Sequence, residues 1–160
     1  MISLDQAHAK VVSFNVKVVT ETTLADLATD LCRIDADLSA FQELGAHWSM
    51  GPKVNQLAHL ASAQGHDTFS WFPLLERPWS FDPYQGGPFT FSNLSPSHTL
   101  KDQAGHFGIG LSARGHFNNE VSHHFSRDKD EQRGIQQVIW RHPKFPHRPL
   151  TVYCTHLSVK

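Results

Sequence analysis

The arrangement of the first forty-odd residues limits what this chain can fold into more than any other feature. Val11 to Val19 is rich in β-branched residues and too short for a stable helix, so it reads as a buried strand. Thr23 then opens a helix, with Asp26 three positions on as an approximate capping box. Leu24, Leu27, Leu31 and Ile34 recur at helical spacing along one face. Leu38 to Gln42 reads as a second short strand. A strand, helix and strand within ~30 residues is the size of a βαβ unit, whose two strands run parallel. Asn15 and Glu43 would then both lie towards the carboxy ends of neighbouring strands and emerge on one rim, where ligands collect in sheets of this kind. A carboxylate beside a carboxamide suits the hard cations Mg²⁺, Mn²⁺ or Ca²⁺. Alone, Glu43 would read as an exposed strand-end charge and Asn15 as a turn cap; their joint placement favours a site.

The 160 residues suit one domain with its own core. Fourteen basic against fifteen acidic residues give a net charge of −1, which argues against a strongly electrostatic nucleic-acid binder while leaving room for a local basic patch. The two cysteines, Cys32 and Cys154, form neither a CxxC motif nor a disulfide framework and read as small buried apolar groups. The N-terminus lacks a basic segment followed by an apolar run, and no apolar stretch approaches the ~20 residues needed to span a bilayer, so a cytoplasmic location is expected.

Beyond Glu43 the sequence predicts a loop over 45–51, then a helix opened by Pro52 and carrying Val54, Leu57, Ala58 and Ala61, with Gly65 as its left-handed cap. His66 to Pro73 reads as a strand or aromatic-rich extended segment. From Glu76 to Gly105 the pattern dissolves into prolines, glycines and aromatics, which suggests a loop insertion. Its aromatics could stack on a base or sugar, or pin the loop to the core; the second reading is preferred. A strand with Phe107, Ile109 and Leu111 alternating with small residues runs into Ser112-Ala113-Arg114. A short strand around 120–126, a charged and solvated hairpin turn over 127–133, a strand from Gly134 to Trp140, a proline-rich turn and a last strand from Leu150 to His156 complete the chain.

Several motifs fail on inspection. The glycines of Gly105-His106-Phe107-Gly108-Ile109-Gly110 have the spacing of a dinucleotide fingerprint reversed and open no helix. Gly110-Leu111-Ser112-Ala113-Arg114-Gly115 misses the nucleophile elbow by one residue, which leaves a serine hydrolase using Ser112 as a minor reading. His123 and His124 would point to opposite faces of a strand, a poor arrangement for one metal.

In contrast, five strand-end elements occur in a telling order: Ser13-Phe14-Asn15-Val16, Phe41-Gln42-Glu43, Gly108 to Arg114, Arg133-Gly134, and Val152-Tyr153-Cys154-Thr155-His156-Leu157. This order resembles the endonuclease/exonuclease/phosphatase superfamily, the fold of deoxyribonuclease I, over most of the chain outside the 76–105 segment. The resemblance implies that Asn15 and Glu43 help to hold a divalent cation, Mg²⁺ or alternatively Mn²⁺ or Ca²⁺. It also implies that His156 contacts the phosphate under attack, and that the reaction is metal-assisted hydrolysis of a phosphodiester or phosphomonoester. On the residues alone, a histidine hydrogen-bonded at a strand end is an equal reading of His156.

The family's second half supplies an Asp-x-Asn element and an Asp-His pair, and the 160 residues contain neither. The expectation is therefore an α/β chain, a single truncated domain over 1–160 forming half of a four-layer αββα sandwich, with one mixed sheet and helices on its outer face. Such a half would leave an apolar sheet face open and favour self-association. Function is expected to be phosphoester hydrolysis on a nucleic acid, a phospholipid headgroup or a small phosphate ester. The alternative is a catalytically silent binding or self-association module of the same fold.

Overall fold

The computed structural model describes residues 8–17, 21–48, 54–78, 92–93, 104–125 and 132–157. The expected βαβ unit is present, but its first strand, expected to be buried, is exposed along most of its length because it lies at the edge of the sheet. Strand β1 (Val11–Asn15) is followed by helix α1 (Glu21–Ile34) and strand β2 (Leu38–Ala46), and the two strands pair in parallel from Val11 opposite Leu38 to Asn15 opposite Gln42. Helix α1 begins before Thr23, which therefore lies inside the first turn and cannot be the cap; Val18 and Val19 lie outside the described residues. Leu24, Leu27 and Leu31 form the buried stripe that the spacing predicts, and Ile34 packs at its edge.

Helix α2 (Gln56–Ala63) starts later than Pro52, which lies outside the described residues. It is capped by Asn55, whose side chain accepts the Ala58 N–H at 3.0 Å. Gly65 takes the left-handed conformation expected of it, with φ of 63°. Strand β3 (Thr68–Pro78), the two-residue β4 (Ser92–Asn93) and β5 (Ala104–Ala113) complete the first sheet, in the order β1-β2-β5-β3-β4. Both ends of the expected 76–105 loop are thus strand; of what lies between, only 92–93 are described.

The α/β class holds, but the strands are divided between two sheets rather than gathered in one. Strands β6 (His116–His124), β7 (Gly134–Arg141) and β8 (Leu150–Thr155) form a separate antiparallel sheet. Strand β6 begins four residues before the expected position and is exposed along most of its length, so its apolar pattern is too weak to mark it in the sequence.

Two apolar clusters bind three layers together. The helices pack on one face of the first sheet through Leu27, Leu31, Phe41, Leu44, Leu57 and Leu60. Helix α2 comes so close to β5 that a Cβ on Gly110 would lie 2.6 Å from Leu57 Cδ2, which accounts for a small residue at that point of the strand. The other face carries Phe72, Ile109, Leu111 and Ala113, packed against Val138, Trp140 and Cys154 of the second sheet. At ~25 cal/mol per Å², each large side chain buried there contributes ~1.5–3 kcal/mol. The inner face of the first sheet is therefore covered, contrary to the open face expected of a half sandwich. Exposed apolar groups persist on the second sheet, at Val121, Leu150 and Tyr153. No helix among the described residues is long and apolar enough to cross a membrane.

Candidate functional site

Parallel pairing puts Asn15 beside Gln42 at the carboxy end of β1, one residue short of Glu43. Strand β2 is irregular at that point. Its register with β5 passes from Phe41 opposite Gly110 to Leu44 opposite Gly108, so Gln42 and Glu43 together face Ile109 alone. This is a β-bulge, and Glu43 takes a left-handed backbone with φ of 58°. In a regular strand the two side chains would point to opposite faces. Here both reach β8 or the residue that follows it: Gln42 Nε2 approaches Cys154 Sγ at 3.8 Å, and Glu43 Oε1 lies 3.3 Å from His156 Nε2. A left-handed conformation costs an L-residue ~1–2 kcal/mol, and it is held here because both flanks of the bulge are locked in the ladder.

The three residues singled out in the sequence meet at one rim. Asn15 Nδ2 donates to Glu43 Oε1 at 2.8 Å, the same oxygen that His156 approaches. Asn15 Oδ1 accepts the Lys17 N–H at 3.0 Å. Because a backbone N–H needs an oxygen acceptor, this bond fixes the carboxamide with its nitrogen towards Glu43. Glu43 and His156 are partly open to solvent, with 25% and 17% of their side-chain surfaces exposed, so a ligand can reach them without unfolding the rim.

His156 comes from the second sheet, and Cys154 two residues earlier sets how close that sheet lies. Its thiol sits against the carbonyls of Phe41 at 3.7 Å and Gly110 at 3.9 Å, the paired residues that flank the bulge on one side. Burial pushes the Cys154 thiol up to about 11, against the smaller opposing effect of its bonds to Gln42, Phe41 and Gly110. It is an inert spacer, as the sequence suggested, whereas Cys32 is exposed.

Arg133 joins the group. Its guanidinium donates to His156 Nδ1, although the sequence reading placed it in a solvated turn. The available signal was the Arg133-Gly134 pair opening a strand.

The donor set suits a hard cation, with one carboxylate supported by a carboxamide. Mg²⁺ is commonly held by one or two carboxylates while keeping several waters and taking substrate phosphate oxygens. Among the described residues no group of three or more His, Cys, Asp or Glu side chains converges as a metal cage, so such an ion would be held mainly through Glu43.

Ser112 is fully buried, with its hydroxyl 2.8 Å from His66 Nδ1, while His66 Nε2 lies 3.0 Å from the Ala36 carbonyl. A serine sealed from solvent cannot meet a substrate, which removes the serine-hydrolase reading. The opposite rim carries a polar clasp instead. Arg114 bonds both Asp35 and Asp37, the latter at 3.3 Å, and His142 Nε2 lies 3.2 Å from Asp37.

No family model and no curated protein matches the chain. Solved structures share its fold. An endonuclease/exonuclease/phosphatase from Beutenbergia cavernae DSM 12333 superposes with a TM-score of 0.62 at 18% identity, over 94% of this chain and 38% of that one. An endonuclease/exonuclease/phosphatase family protein from Leptotrichia buccalis C-1013-b superposes with a TM-score of 0.59 at 14% identity, over 95% of this chain and 56% of that one. The fold is thus that of endonuclease/exonuclease/phosphatase proteins. The chain spans between about two-fifths and somewhat over half of the length of these two structures.

Proposed function

We propose that this chain carries part of a divalent-metal-dependent phosphoesterase site that hydrolyses a phosphodiester or phosphomonoester with an activated water. The observation that carries this reading is the convergence of Asn15 and His156 on one oxygen of Glu43, across two sheets and at one rim. Bound Mg²⁺ would offset negative charge on the phosphoryl oxygens. Glu43 would hold the ion, with Asn15 orienting the carboxylate through its Nδ2. His156, set at the edge of the same point, would donate a hydrogen bond to a phosphoryl oxygen as charge grows there. Nucleic acid, a phospholipid headgroup and a small phosphate ester all present the group this site would take. The near-neutral charge of the chain disfavours duplex nucleic acid.

The test is turnover of a chromogenic phosphodiester and phosphomonoester with Mg²⁺ or Mn²⁺, using Glu43→Gln and His156→Ala as controls. Metal-dependent turnover lost in both variants supports the reading, and turnover indifferent to Glu43 rejects it. A second reading, a catalytically silent binding or self-association module, draws on the exposed Val121, Leu150 and Tyr153 of the second sheet. It predicts no turnover together with concentration-dependent sedimentation that Tyr153→Asp abolishes.

A further inference from the structure

The geometry points to Arg133 as a positioning residue that fixes which nitrogen of His156 carries the proton and aims that N–H at the rim. This rests on the phosphoesterase reading for its purpose, but not for its test.

A guanidinium only donates, so the nitrogen it bonds must be an acceptor. Arg133 Nη1 bonds His156 Nδ1, which places the ring proton on Nε2. Nε2 is the nitrogen that faces Glu43 Oε1, so donor and acceptor are correctly matched on both sides of the ring. The division of labour follows from this. The positive charge stands on the guanidinium behind the ring, and the ring presents a neutral, directed N–H towards the position of a phosphoryl oxygen. A ring turned over by 180° about Cβ–Cγ would set ring carbons where Nε2 and Nδ1 now stand and lose the contacts to both Glu43 and Arg133.

The backbone holds Arg133 in place for this task. Strands β7 and β8 pair Ile135 with Thr155, so one step back on β7 and one forward on β8 reaches Gly134 and His156, with Arg133 the next residue. Thr155 Oγ1 donates to the Gly134 carbonyl at 2.9 Å, tying the residue before His156 to the residue after Arg133. The Arg133 carbonyl itself accepts the Phe125 N–H at 2.9 Å and Gln132 Nε2 at 2.6 Å. Gly134 lets the strand start close to its neighbours, since a Cβ there would lie 2.7 Å from both the His123 carbonyl oxygen and Phe72 Cε1. The arginine is therefore anchored on the main-chain side before its side chain is considered. Partners of this kind, one step removed from the reacting group, typically change activity by about 10–100-fold when removed.

The experiment is long-range ¹H–¹⁵N spectroscopy of the histidine rings in the full chain, with His156 assigned by comparison with His156→Gln. The wild type is expected to show His156 with its proton on Nε2 and a Nδ1 resonance displaced upfield, as for a hydrogen-bond acceptor. Arg133→Met should return that Nδ1 resonance to the position of a free nitrogen, and Arg133→Lys, which keeps a donor, should restore much of the displacement. A proton on Nδ1 in the wild type, or a Nδ1 resonance that Arg133→Met leaves unmoved in a folded protein, overturns the assignment. Where phosphoester turnover is present, Arg133→Met is expected to lower kcat about 10–100-fold with partial recovery in Arg133→Lys. Absence of turnover in the wild type counts against the phosphoesterase reading alone, because the spectra decide the role of Arg133 by themselves.

Discussion

Replacing Glu43 in two ways separates what its side chain does from what its backbone costs. Glu43→Ala and Glu43→Gly both remove the carboxylate, and both leave Asn15 Nδ2 and His156 Nε2 without that oxygen. Those losses cancel when the two variants are compared. What differs is the left-handed backbone, with φ of 58°. Alanine in that region bears about 1–2 kcal/mol of strain from its Cβ. Glycine bears none, but loses more freedom on folding, which gives back about 0.4–1 kcal/mol. Glu43→Gly should therefore be the more stable variant by about 1 kcal/mol, a rise in melting temperature of about 2–4 °C for a chain of this size. Calorimetry and urea titration on both proteins measure the difference, with equal denaturant dependence as a check that the unfolded states are comparable. An alanine variant as stable as the glycine one would refute the bulge as described, and with it the reason that consecutive residues reach the same partner strand. Any phosphoester turnover should fall equally in the two, since neither retains a carboxylate.

Other outcomes follow from the same coordinates. Gly134→Ala pushes a Cβ against the His123 carbonyl and Phe72, and should cost about 1–3 kcal/mol in chemical denaturation while disturbing the His156 ring resonances. Thiol titration with an aromatic disulfide at neutral pH should modify Cys32 quickly and Cys154 only on unfolding, because Cys154 is buried. The Cys154 thiol rises from 9.0 to about 11 on folding, so the folded state binds the proton more tightly. Its contribution to stability is then complete below about pH 9 and disappears as pH rises towards 11, an alkaline loss that Cys154→Ala should lack. Burial raises the Asp37 carboxyl, but the Lys10 N–H, His142 and Arg114 together outweigh it and leave the group below its usual 3.8. That stability is present above pH 3.8 and lost as acid protonates the folded group, so Asp37→Asn should destabilise the protein by about 1–3 kcal/mol at neutral pH and flatten its acid unfolding curve.

The parts of the site that were legible in the sequence are those set by local pattern. Alternating strand and helix periodicities place Asn15 and Glu43 on parallel neighbours, and that inference needs no long-range contact. The bulge is different: Gln42-Glu43 carries no glycine or asparagine to signal a left-handed residue, and the conformation is imposed by pairing on both sides. The second sheet was hidden because β6 shows an almost continuously exposed face, and only the chain's return through β7 reveals a partner layer. Arg133 read as turn charge because its value depends on His156, which lies 23 positions on in sequence and reaches it only once β7 and β8 pair.

Among the described residues no ladder hydrogen bond joins the two sheets that bring Glu43 and His156 together, so the width of the gap is set by the side chains packed between the layers, Cys154 among them. Val138 and Trp140 on one side and Ile109 and Leu111 on the other are all completely or almost completely enclosed. A methyl group gained or lost among them would tilt one layer on the other and move the imidazole relative to the acid without changing either. The geometry of the rim and the packing of the interior are in this architecture a single variable, and a change in one carries through to the other.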